Sequence, residues 1–107
     1  TEGCLRYGTS KYGYALQNKV GGCLAVGGNR NAGEEFTLLC MQYFFEVHDM
    51  IVVGSGGEPT PGCYLGGSCT TYPQKGDVRN AILEDDIGLK SARNTGIKVA
   101  KTVLMMR

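Results

Sequence analysis

As a string of apolar and polar positions, the chain changes character several times. Residues 1–18 are polar and aromatic, broken by Gly3, Gly8 and Gly13, and predict loop. Lys19–Val26 is a short, mostly apolar run that stops at Gly27-Gly28. Its apolarity is continuous rather than alternating, which predicts a strand buried on both faces, as in a parallel sheet. A buried helix is the rival reading, and the glycine pairs at 21–22 and 27–28 count against it. Glycines and asparagines fill 27–33, and then Glu34-Glu35 open a run to Val47. Phe36, Leu38, Leu39, Cys40, Met41, Tyr43, Phe44, Phe45 and Val47 are apolar or aromatic, leaving Glu35, Gln42 and Glu46 as a narrow polar stripe. That pattern predicts a well-buried helix whose opening acids complement the macrodipole. His48-Asp49 predict a turn, and Met50–Val53 a second, β-branched strand. Strand, glycine loop, helix, turn and strand make a βαβ unit with parallel pairing.

Residues 54–77 show no periodic segment. Six of the sixteen residues 54–69 are glycine, and Pro59, Pro61 and Pro73 add to the break. Loops this long in compact domains are usually functional or disordered. The segment 84–107 predicts a C-terminal helix, with Glu84-Asp85-Asp86 at its start and Lys98, Lys101 and Arg107 towards its end. Ile87, Leu89, Ala92, Ile97, Val99, Ala100, Val103 and Leu104 supply its apolar face. Gly88 and Gly96 either weaken this helix or let it pack closely on a sheet. Two strands and two helices are too few for an independent parallel sheet, which needs both faces covered and several strands. The pattern therefore predicts the C-terminal part of an α/β domain.

Composition refines this picture. The 107 residues suit one small domain. Eleven Lys and Arg balance ten Asp and Glu, which argues against a nucleic-acid partner. Glycine, at 17 residues, has more than twice its average share. The glycines have no G-x-y period and gather in loops, as expected where backbone holds a ligand. Five cysteines are an odd number and too sparse for a disulfide scaffold. No apolar run approaches the length of a membrane span. With no signal peptide at Thr1-Glu2-Gly3-Cys4, the expected compartment is a reducing cytoplasm, with no membrane partner. The absence of an initiator Met predicts a processed or truncated product.

The loop 27–33 carries the strongest chemical signal, because it follows a strand and opens a helix. In open α/β sheets, ligands bind at the carboxyl ends of strands. Gly28 and Gly33 have the glycine spacing of a phosphate loop, but Glu34-Glu35 stand where that loop needs Lys and Ser/Thr. Two carboxylates would repel a triphosphate. The dinucleotide fingerprint is also absent, since Gly54-Ser55-Gly56-Gly57-Glu58-Pro59 ends in proline. A weakly polar ligand presenting carbonyls and ring nitrogens fits better. A plain strand-to-helix turn is the competing interpretation. Tyr64 and Tyr72 are candidates to stack on a planar ring, or are surface tyrosines. His48 is expected to favour the helix C-terminus. Cys63 and Cys69 are a lone pair with the wrong spacing for zinc, so no metal site is assigned. Gly66-x-Ser68-x-Thr70 falls one residue short of a nucleophile elbow.

Lys19–Leu38 resembles a stretch of the NAD(P)H-dependent FMN reductase and iron–sulfur flavoprotein group, within the flavodoxin-like superfamily. Met50–Gly54 resembles that group's next strand. Asp85-Asp86-x-Gly88, with Ala92-Arg93 and Gly96, resembles its last helix. The resemblance implies a flavodoxin-like three-layer α/β/α fold with a parallel sheet, of which this chain is the C-terminal part. It also implies FMN as cofactor and redox chemistry on its isoalloxazine ring, with NAD(P)H or a ferredoxin-like protein as electron donor. By matching position, Gly27, Gly28, Asn29, Arg30 and Asn31 lie along the ring's pyrimidine edge, with Gly33 closing the loop and Tyr64 among the residues available to cover the ring. Arg30 would stabilise negative charge near the reduced ring's N1–C2 region. The group's phosphate-binding loop and compact cysteine cluster have no counterpart here. Any iron–sulfur cluster would therefore come from an N-terminal part. The expected partner is that N-terminal fragment or a second copy of the chain. The alternative is a non-catalytic interaction module on the same scaffold that binds a partner chain and no flavin.

Overall fold

The computed structural model describes residues 13–29, 32–56, 64–71 and 81–107. The run from Lys19 to Gly27 is extended but divided. Val20–Gly21 forms β1 and Leu24–Gly27 forms β2. The helix α1 spans Glu34–Val47, β3 spans Ile51–Val52, and β4 spans Gly67–Thr70. A 3-10 turn at Ala81–Glu84 leads into α2, Asp86–Met105. All pairing is parallel: β1 with β3, and β2 with β4.

The backbone bonds show how four short pieces make one sheet. The carbonyls of Lys19, Gly21, Cys23 and Gly27 accept from the N–H groups of Ile51, Val53, Gly67 and Thr71 at 2.8, 3.0, 2.9 and 2.9 Å. These acceptors are all odd-numbered, and alternate carbonyls leave an extended strand on the same side. β3 and β4 therefore lie end to end along one edge of the 19–27 strand. The chain makes an excursion between them, closed at its neck by the Ser55 N–H donating to the Tyr64 carbonyl at 3.2 Å.

This corrects the expectation of two strands and an unstructured 54–77. Gly67–Thr70 is a strand, although Gly-Ser-Cys-Thr has no bulky β-branched or aromatic run to announce it. Small residues are required there because α2 lies close against it. A Cβ on Gly67 would stand 2.7 Å from the Ala92 Cα and would collide with Leu24. The facing residues of α2 are Gly88, Ser91 and Thr95, all buried. Gly88 serves the close packing anticipated for it, since a Cβ there would meet the Ser68 carbonyl at 2.8 Å. Gly96 does not, because a Cβ there would meet nothing.

The two helices cover opposite faces. A Cβ on Gly21 would touch Phe45 and Met50, on the α1 side; one on Gly22 would touch Val99 and Thr95 of α2. The arrangement is thus helix, parallel sheet, helix, in keeping with part of a flavodoxin-like fold. Cys23, Ala25 and Leu38 form the buried core under α1, flanked by Met41, Phe45 and Leu65.

Both helices correct the sequence reading of their apolar faces. Only Glu34 and Leu38 of α1 are buried, while Phe36, Leu39, Tyr43 and Val47 are exposed. Likewise α2 presents its small residues to the sheet and leaves Ile87, Ile97, Val103 and Leu104 exposed. Its start also moves: Asp85 is the N-cap and Asp86 the first helical residue.

Candidate functional site

The loop that follows β2 sits at the carboxyl end of the sheet, where β2 and β4 finish side by side. The N-termini of both helices follow these strand ends in the chain. Gly27 is held at the base, its carbonyl accepting from the Thr71 N–H at 2.9 Å and the Thr71 hydroxyl at 3.4 Å. Gly28 and Asn29 are exposed. Arg30 and Asn31 lie outside the described residues. Gly33 is the N-cap of α1 with φ 94°, a left-handed conformation in which glycine has no Cβ penalty. Its carbonyl accepts from the Thr37 N–H at 2.9 Å and the Thr37 hydroxyl at 3.0 Å. Tyr64 is 71% exposed and belongs to the neck of the excursion. Its backbone pairs beyond the end of β3, roughly four residues or about 13 Å along the strand from Gly27.

Glu34 was expected only to favour the helix dipole. It does more. Its side chain is buried and folds back under the loop, where Oε2 accepts from the Ala32 N–H at 2.8 Å. The carboxyl carbon would stand 2.5 Å from a Cβ on Gly27, so the carboxylate fills the space that a side chain there would take. The N-terminus of α1 is therefore already supplied with an internal anion. A phosphate does not fit this loop, which agrees with the argument against a phosphate loop from the sequence. The outward side is different. A Cβ built on Gly28 or Gly33 would meet nothing within 4 Å. What the loop offers outwards is an accessible glycine backbone and the Asn29 amide, a donor and acceptor set suited to a neutral heterocyclic edge. Such a set fits the pyrimidine edge of a flavin and not its phosphate.

Sequence reasoning put Asp85 at the helix start, where it is the N-cap, but not its link to β4. One oxygen caps α2 by accepting from the Gly88 N–H at 2.9 Å, and the other accepts from the Thr70 N–H at 2.8 Å. The side chain joins the end of β4 to the start of α2. An Asp just before the helix, in N-cap position, was the available signal for the cap. Next to it, burial first and then the Asp85 charge push the Cys69 thiol above its ordinary pKa. A protonated thiol in this position is a packing group and not a nucleophile. His48 departs from expectation as well. It ends α1 fully buried, its ring centroid 4.6 Å from that of Phe44, and neither ring nitrogen has a hydrogen-bond partner among the described residues.

No group of three or more His, Cys, Asp or Glu among the described residues could hold a metal ion. Cys40 and Cys69 are free thiols. No helix among the described residues is long and apolar enough to cross a membrane.

Comparison with known proteins adds to this geometry. No protein-family model matches the chain, and no solved structure does. An iron–sulfur flavoprotein of Methanocaldococcus jannaschii is 44% identical over 97 residues, covering 91% of this chain and 46% of that protein. An iron–sulfur flavoprotein of Methanosarcina thermophila is 32% identical over 94 residues, 88% of this chain and 41% of that protein. A second M. jannaschii iron–sulfur flavoprotein is 38% identical over 80 residues, 75% of this chain and 37% of that protein. The chain spans less than half the length of the curated relatives it matches. Related to all three over most of its own length, the chain belongs to the iron–sulfur flavoprotein family.

Proposed function

We propose that this chain is part of an FMN-binding oxidoreductase and that residues 27–33 contact the isoalloxazine ring. The observation that carries the reading is the loop itself. It sits at the carboxyl ends of parallel strands, keeps open space over Gly28 and Gly33, and has its helix N-terminus filled by Glu34. That combination favours a planar, weakly polar ring over an anion. The flavoprotein names of the relatives support the same cofactor class.

In this reading Gly27, Gly28 and Asn29 lie along the pyrimidine edge, with Gly27 tied to β4 and the N–H groups of Gly28 and Asn29 available to its carbonyls. Arg30 and Asn31 complete that edge, and the Arg30 cation lowers the energy of negative charge on the reduced ring. Tyr64 is the aromatic available to cover the ring from the excursion. FMN supplies two-electron redox chemistry, with NAD(P)H or a ferredoxin-like protein as donor. Any iron–sulfur cluster is held by residues outside those described here. A reducing cytoplasm is the compartment in this reading.

An absorbance scan tests this. The purified chain is expected to keep flavin bands through desalting, or to regain them with added FMN. Arg30→Ala is expected to weaken FMN binding about tenfold, equivalent to about 1.4 kcal/mol. A protein that stays colourless with excess FMN would favour the interaction-module reading instead.

A further inference from the structure

The loop 27–33 has an inner and an outer side, and a charge lies on the inner one. Among the described residues, Glu34 is the only buried carboxylate. Its Oε2 accepts from the Ala32 N–H at 2.8 Å, and its Oε1 takes the space against Gly27 that a side chain would need. The described loop residues Gly27, Gly28, Asn29, Ala32 and Gly33 carry no charge of their own. The N-cap, Gly33, brings no side-chain acceptor to the start of α1. A helix N-terminus by itself attracts negative charge. With a carboxylate buried beneath the loop, this one does not, and a charge held away from water is screened less than an exposed one. The open space over Gly28 and Gly33 is therefore biased against a ligand that gains negative charge while it is bound.

A flavin ring is such a ligand. Taking up two electrons and one proton, at N5, adds one negative charge to the ring; a second proton, at N1, removes it. We infer that Glu34 sets the redox-state preference of this site. Acting across the loop backbone, its carboxylate weakens binding of the anionic reduced ring relative to the oxidised ring, and so lowers the potential of the bound flavin. The inference rests on the FMN reading of the loop and adds a residue that does not touch the ring. Glu34 and Arg30 then act in opposite senses, the carboxylate disfavouring the charge that the guanidinium favours.

Dissociation constants are measured for oxidised FMN and, without oxygen, for FMN reduced by excess dithionite, in mildly alkaline buffer. The unaltered chain is compared with Glu34→Gln, Glu34→Ala and Glu35→Gln, and circular dichroism checks the fold of each. In Glu34→Gln, which keeps an acceptor for the Ala32 N–H, the ratio of the reduced to the oxidised constant is expected to fall roughly tenfold, equivalent to a rise of about 30 mV in the two-electron potential. Glu34→Ala is expected to shift the ratio in the same direction although it loses that hydrogen bond. Glu35→Gln removes the same charge from an exposed neighbour, where solvent screens it, and is expected to change the ratio by less than about twofold. An unchanged ratio in Glu34→Gln, or a shift in Glu34→Ala alone, would overturn the inference and leave the flavin reading standing, because both forms of FMN would still bind. An equal shift in Glu35→Gln would overturn it as well, by reducing the effect to net charge. An unaltered chain that binds neither form would remove the flavin reading and this inference together.

Discussion

Glu34→Ala tests whether the loop at 27–33 is shaped from beneath. The substitution removes the acceptor 2.8 Å from the Ala32 N–H and empties the space against Gly27. A hydrogen bond to an ionised group contributes about 1.5–3 kcal/mol. Ala32 is exposed, so water recovers part of that. Losing an anion in the first turn of α1 adds about 0.3–1 kcal/mol. The expected net loss is about 1–2 kcal/mol, and each kilocalorie lowers the melting temperature by roughly 4–8 °C in a domain of this size. Glu34→Gln keeps the shape and one acceptor oxygen while losing the charge, so its loss is expected to be half as large or less. The Thr37 bonds to the Gly33 carbonyl survive both changes, so α1 itself remains. Urea unfolding followed by circular dichroism, with amide exchange read at Ala32, checks the claim. An unchanged midpoint together with unchanged exchange at Ala32 in Glu34→Ala would refute it.

Two further outcomes follow from the close contact between α2 and β4. Gly67→Ala is expected to cost about 1–3 kcal/mol, in the upper half of that range, because the added carbon meets the helix backbone at Ala92 and neither element can give way; thermal denaturation measures it. For Cys69, burial and Asp85 favour the neutral thiol in the folded state. Its folded pKa lies above the unfolded one, so this stabilisation is complete below the unfolded value of about 8.5 and is lost as pH rises through the folded value. Stability is therefore expected to fall in the alkaline range, and to fall less in Cys69→Ser. Among the described cysteines, alkylation at neutral pH is expected to modify exposed Cys40 before buried Cys23 and Cys69.

Much of the architecture was legible because it depends on local chemistry. The acids at 34–35, the length of the apolar run and the turn at His48-Asp49 place α1 correctly from Glu34 to Val47. The glycine stops bracket the 19–27 strand. β4 escaped because its residues are chosen for thinness against a helix, which is a tertiary requirement that leaves no propensity signal. Helix α2 misled for the same reason. Its sheet-facing side is Gly88, Ser91 and Thr95, while its larger apolar residues face outwards, so hydrophobic periodicity pointed to the wrong face. At the site, the loop was visible as a cluster of glycines. The bonds of Glu34 to Ala32 and of Asp85 to Thr70 were not, because both are made to backbone N–H groups that any residue carries. His48 could be located but not its burial, which depends on Phe44 and the surrounding packing.

The end-to-end placement of β3 and β4 bears on how such a protein can change over time. Both segments take their register from the same nine residues, 19–27, and the Ser55 to Tyr64 bond closes the excursion at its base. Lengthening a loop already closed in this way costs only about 0.6 kcal/mol for each doubling. Insertions and deletions between these anchors leave the strand pairing on either side in place. The excursion is thus a position where new recognition sequence can accumulate while the 27–33 loop, built on the far end of the same strand, keeps its geometry.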